Sequence, residues 1–144
     1  MEKRTYTTED FDKIGKIIVE SSLDNLAAYL FGSHARGEAG PDSDIDVALI
    51  VPDEEHIFSP TCNRTVPEAT ADRALEIAGY NPGHKAGEVS VTSLSFSDFV
   101  DEGYQLARNI RKEGRLLLAR ERFYGKYTKA TREDLWMLSA RTVR

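Results

Sequence analysis

Phe31-Gly-Ser-His-Ala-Arg-Gly-Glu-Ala-Gly-Pro-Asp-Ser-Asp-Ile-Asp46 is the stretch whose reading decides the fold of this chain. It leaves a short apolar run, Leu26-Ala-Ala-Tyr-Leu-Phe31, through a glycine-serine turn, and it enters a second apolar run, Val47 to Val51. Asp44 and Asp46 stand two residues apart at the start of that second run. On an extended strand such residues share a face, so both carboxylates aim the same way and can share a hard cation. Gly32 allows a tight turn and close approach of an anion, and Ser33 offers an N–H and a hydroxyl. A short helix opening behind the turn adds its positive end. Paired carboxylates for a divalent metal beside an anion cradle are the parts that phosphoryl or nucleotidyl transfer requires.

Gly32-Ser33-His34-Ala35-Arg36-Gly37 followed by Ser43-Asp44-Ile45-Asp46-Val47 resembles the nucleotidyltransferase superfamily typified by DNA polymerase β, and within it the minimal, antitoxin-like nucleotidyltransferases. The match is dense over residues 30–50 and looser elsewhere. The resemblance implies an α/β (α+β) fold, a small mixed β-sheet flanked by helices, with a nucleotidyltransferase domain over residues 1–125 and a C-terminal helical extension over 126–144. It implies Mg²⁺ or Mn²⁺ held by Asp44 and Asp46, and ATP or another nucleoside triphosphate held by Gly32 and Ser33. Arg36 either neutralises phosphate charge or pairs with Glu38 or another surface acid.

Members of the superfamily usually carry a third carboxylate on a later strand. Here the strand-then-helix pattern of Val89 to Phe99 puts Ser90 at that position. Glu88, two residues earlier and about 6.6 Å away along a strand, is either a displaced third catalytic ligand or an exposed residue at the strand start. His34 reads as a spectator inside the motif. His56, Cys62 and His84 lack compact metal-ligand spacing, and no Walker A or dinucleotide-binding glycine pattern is present. Asp53-Glu54-Glu55 reads as a solvated acidic loop.

Two functions fit these residues. One is an enzyme that transfers a nucleoside monophosphate, AMP from ATP, to a hydroxyl acceptor such as a protein partner. The other is a catalytically weak or inactive antitoxin that binds a small helical partner of the HEPN type. The intact Asp44/Asp46 pair favours the first, and Ser90 the second.

With 144 residues, the chain suits one compact domain. No apolar stretch is long enough to span a bilayer, no signal-peptide core follows Met1, and the single cysteine, Cys62, cannot form an internal disulfide, so a cytoplasmic protein is expected. The net charge of −5 conceals an asymmetry: residues 1–102 carry −12 and residues 103–144 carry +7. An acidic body argues against nucleic acid as the general partner. The basic C-terminal part suits an acidic partner, RNA or another subunit of a homo-oligomer, or is simply a solvated face.

Periodicity and capping chemistry predict the elements. Helices are expected over about 8–21 capped by Thr8, over 35–38, over 66–78 starting after Thr65, over 97–112 ending at Gly114, and after Thr131. Strands are expected over 26–31, 44–51 and 88–94, with a short edge strand at 116–118.

Overall fold

A computed structural model describes residues 6–120 of the chain. Among these residues five α-helices and four strands follow one another: α1 (Thr8–Glu20), β1 (Ala27–Phe31), α2 (Gly32–Arg36), β2 (Ile45–Val51), α3 (Val66–Ile77), β3 (Val89–Ser95), α4 (Phe96–Val100), α5 (Gln105–Glu113) and β4 (Arg115–Ala119), with one 3-10 turn at Asp53–Glu55 after β2. The strands form one mixed sheet in the order β3-β2-β1-β4. β1 runs antiparallel to both β2 and β4, while β2 and β3 are parallel and joined through α3. A parallel pair needs such a crossover, and the helix it carries covers one face of the sheet.

Two apolar layers result, because strand side chains alternate between faces. On one side Ile45, Val47, Leu49, Val89 and Val91 pack against Phe11, Ile14 and Ile18 of α1 and Ala71 and Leu75 of α3. On the other, Leu26, Tyr29, Ala48, Ile50 and Leu94 meet Phe96 and Phe99 of α4 and Ala107 and Ile110 of α5. Covering both faces explains why β2 reads as an almost unbroken apolar run. Gly15 lets α1 close onto β4, since a Cβ there would lie 2.4 Å from Leu117 Cβ. Among the described residues no helix is long and apolar enough to cross a membrane.

The expected elements are present, with shifts that have local causes. Thr7, not Thr8, caps α1: its Oγ1 accepts the Asp10 N–H at 3.3 Å while Asp10 Oδ2 accepts the Thr7 N–H at 2.9 Å. α3 has the same reciprocal cap between Thr65 and Glu68. α2 starts at Gly32 itself, three residues before the expected Ala35. The helix expected over 97–112 is divided into α4 and α5. The Asp101 carboxylate accepts the Gly103 N–H at 2.8 Å, closing a turn that competes with helix. Asp53 is not merely solvated. It takes the Ser97 N–H at 2.9 Å and the Ser97 hydroxyl, tying the turn after β2 to the start of α4. The helix expected after Thr131 lies outside the described residues.

Distant side chains complete the local structure. Arg120 donates to the carbonyls of Val19, Ser22 and Asn25 at 2.8, 2.8 and 2.7 Å, placing a cation at the carbonyl end of α1, whose last turn has no basic residue of its own. Glu68 Oε2 accepts the Ser93 N–H of β3 at 2.7 Å, and Arg64 reaches the Val91 carbonyl at 2.9 Å.

Candidate active site

The site forms at the junction of β1, α2 and β2. Antiparallel pairing sets Phe31 opposite Asp46, which brings the turn after β1 against the start of β2. Gly32 has φ of +73°, in the left-handed region, and a Cβ there would fall 2.3 Å from Asp46 Oδ2. Backbone conformation and space both demand glycine at this point. The carboxylate that opens β2 therefore lies directly over the glycine-serine turn. α2 begins there with Phe31 at its N-cap, which supplies no side-chain hydrogen bond to the first-turn N–H groups. Those donors are left for another acceptor.

The electrostatics of the pair are unusual. Asp46 is half-buried, and its carboxyl is pushed up from the ordinary 3.8 to about 6, first by burial and then by repulsion from Asp44; His84 and Arg36 oppose the rise. Among the described residues neither aspartate forms an ion pair with lysine or arginine; the nearest basic atom paired to either is His84 Nδ1, 3.9 Å from Asp44 Oδ2. Two carboxylates crowded together without a full counter-charge are the donor set that a hard divalent cation satisfies, so the residues fit Mg²⁺ or Mn²⁺. No third His, Cys, Asp or Glu completes a metal-binding cluster among the described residues.

Arg36 sits at the end of α2 and pairs with surface acids, Nε to Glu38 Oε1 at 3.3 Å and Nη1 to Glu113 Oε2 at 3.5 Å. Its charge still reaches Asp46. His34 lies edge-on to Phe11 with ring centroids 5.3 Å apart, and burial lowers its pKa despite the pull of Asp44. Ser90 stands directly across from Asp46 on the neighbouring parallel strand. Glu88 lies outside β3, in the turn before it. Its Oε1 accepts the Lys85 N–H at 3.0 Å and lies where a Gly83 Cβ would be, so the structure turns it into its own loop and not toward the aspartates.

His84 is the site neighbour that sequence reasoning passed over. Its Nδ1 is 2.8 Å from Ser90 Oγ, and the same atom faces Asp44. Spacing gave no signal for it, because it is reached by a loop that folds back along β3: Gly83 N–H bonds to Val89 O at 2.9 Å, and Pro82 bridges to Val89.

This arrangement defines a mixed α/β domain, a four-stranded sheet flanked by helices. The sequence profile of the nucleotidyltransferase domain matches residues 12–139, and the chain belongs to that family. Among solved structures the fold is similar to a toxin–antitoxin complex crystallised with AMP-PNP (19% identity, 93% of this chain and 84% of that one, TM-score 0.51). It is also similar to a mutant MntA–HpeT toxin–antitoxin complex (16% identity, 92% and 83%, TM-score 0.50). A tri-AMPylated Shewanella oneidensis HEPN toxin with its MNT antitoxin aligns at 14% identity over 95% and 84%, with a TM-score of 0.49. No curated protein matches the chain.

Proposed function

We propose that this domain transfers a nucleoside monophosphate, AMP from ATP, to a hydroxyl on a protein partner. The observation that carries the reading is the contact of Asp46 with the Gly32 turn: it sets a pair of under-compensated carboxylates beside uncapped backbone donors. Asp44 and Asp46 would hold Mg²⁺ or Mn²⁺, and the N–H groups at Gly32 and Ser33 would hold the β and γ phosphates. The metal, when bound, withdraws charge from the α-phosphoryl group. The acceptor oxygen forms a bond to the α-phosphorus, the bond from that phosphorus to the bridging oxygen breaks, pyrophosphate leaves, and the acceptor proton passes to water. A partner of the HEPN type, as the sequence resemblance implies, is consistent with the toxin–antitoxin complexes that share the fold. Self-association and a cytoplasmic location belong to the same reading.

The test is incubation with labelled ATP, Mg²⁺ and candidate partner proteins, for this protein and for Asp44→Asn. Label on the partner with the unaltered protein alone supports transfer. One observation favours the alternative of a binding-only antitoxin. The position across from Asp46 is Ser90, and Glu88 is bound into its own loop. Stable partner binding unchanged in Asp44→Asn, with no label transferred by either protein, would establish that alternative.

A further inference from the structure

A cleft of about 260 Å³ opens at the outer edge of β3, and it shares a wall with the site just described. Ser90 and His84 form that wall; Arg64, just before α3, and Asp72 and Glu76, along it, line the other side. We propose that this cleft is the acceptor subsite, and that it takes a hydroxyl-bearing side chain of a protein whose neighbouring residues are cationic. The proposal rests on the nucleotidyl-transfer reading and adds to it where the acceptor enters and what chemistry selects it.

Position is the first argument. Displacement at the α-phosphorus is in line, so the entering oxygen must approach from the side opposite the departing pyrophosphate. The Gly32–Ser33 turn, which would retain that pyrophosphate, lies on the β1 side of β2, whereas β3 lies on the other side. The cleft is on that second side, against the residue that pairs with Asp46.

Size is the second. Pockets for whole drug-sized ligands span about 300–1,000 Å³. A smaller cleft open at a sheet edge suits one inserted side chain with the rest of its carrier outside.

Charge is the third. Among the described residues Arg64 is the cation of the cleft, and its donors are already committed: Nε and Nη2 bind Asp72 at 3.0 and 3.1 Å, Nη2 also binds Val91 O at 2.9 Å, and Nη1 faces Glu68 Oε1 at 3.5 Å. One guanidinium thus answers two carboxylates. Glu76 adds an exposed carboxylate that has no ion pair among the described residues. Among the described residues the cleft is net negative. It disfavours a second phosphate and favours lysine or arginine beside the accepted hydroxyl.

Two synthetic tyrosine peptides, one flanked by lysines and one by glutamates, test this with the full chain. Their binding is followed by backbone amide NMR without nucleotide, and their labelling is followed with Mg²⁺–ATP; Mg²⁺–ATP binding alone is measured by calorimetry. The lysine-flanked peptide is expected to move the Gly83, His84 and Ser90 amide signals and to be the better acceptor. Glu76→Lys is expected to reduce its advantage about fivefold while leaving Mg²⁺–ATP affinity within about twofold. Signals that move elsewhere, or an unchanged preference in Glu76→Lys, would overturn the assignment. Absent Mg²⁺–ATP binding with intact peptide shifts would instead overturn the transfer reading, and the acceptor role with it, leaving a peptide cleft.

Discussion

Replacing Asp46 with asparagine should make the protein more stable at neutral pH while abolishing divalent-cation binding. Asparagine keeps the shape of the side chain and removes its charge. In the folded protein the Asp46 carboxyl is pushed up from 3.8 to about 6 by burial and by Asp44. Folding therefore favours the protonated acid, and ionisation opposes folding. The unfolded chain loses its proton first as pH rises, so stability falls between about pH 4 and 6 and stays reduced above. The full difference corresponds to about 3 kcal/mol. Asp46 is only half-buried, and solvent screening brings this to about 1.5 kcal/mol. For a domain of this size the variant should melt about 4 °C higher at pH 7.5. The gain should shrink as pH falls through 6 and be nearly gone at pH 4. Added Mn²⁺ should raise the melting temperature of the unaltered protein at pH 7.5 but not that of the variant. Scanning fluorimetry across pH reads all of this. A variant no more stable than the parent at pH 7.5, or equally favoured at pH 4, would refute the view that this carboxylate is held at the cost of stability.

Other substitutions probe other layers. Gly32→Ala must adopt a left-handed backbone and drive its methyl into Asp46 Oδ2; it should lose about 2 kcal/mol and metal-dependent nucleotide binding, and full binding by calorimetry would contradict the geometry. Tyr29 has the one buried side-chain oxygen without a hydrogen-bond partner among the described residues, and burial pushes its pKa to about 12; Tyr29→Phe should be neutral or stabilising by up to about 1 kcal/mol in urea unfolding, whereas clear destabilisation would reveal a partner for the hydroxyl. Glu68→Ala strips the N–H groups of Thr65 and Ser93 of their acceptor and should cost about 3 kcal/mol, with a loss under about 1 kcal/mol counting against the network.

The central stretch was legible because its residues act locally. Gly32, Ser33, Asp44 and Asp46 lie within one β1-α2-β2 passage, where Asp44 immediately precedes β2 and Asp46 is its second residue. The strand-then-helix pattern of Val89 to Phe99 put Ser90 at the position of the superfamily's third carboxylate, and the sheet register sets it across from Asp46. What was not legible depends on the chain returning from a distance. His84 faces Asp44 only because the 83–88 loop folds along β3, a path that no periodicity encodes. Glu88 was open between a displaced ligand and an exposed residue at the strand start; the strand begins one residue later, and the carboxylate finds a backbone N–H within the turn. The break between α4 and α5 turned on whether Asp101 would close a turn with Gly103. The apolar spacing of 97–112 suits one helix or two, and side-chain-to-backbone bonding decided it.

β3 is an edge strand, yet four of its outward backbone groups are occupied. Arg64 holds the Val91 carbonyl, Glu68 the Ser93 N–H, and the 81–83 segment the N–H and carbonyl of Val89. An unoccupied edge is a template on which another polypeptide can add a strand. Here that template is interrupted at Val89, Val91 and Ser93. A continuous added strand would have to displace these bonds, so a protein approaching this side is favoured by what its side chains offer more than by its extended shape.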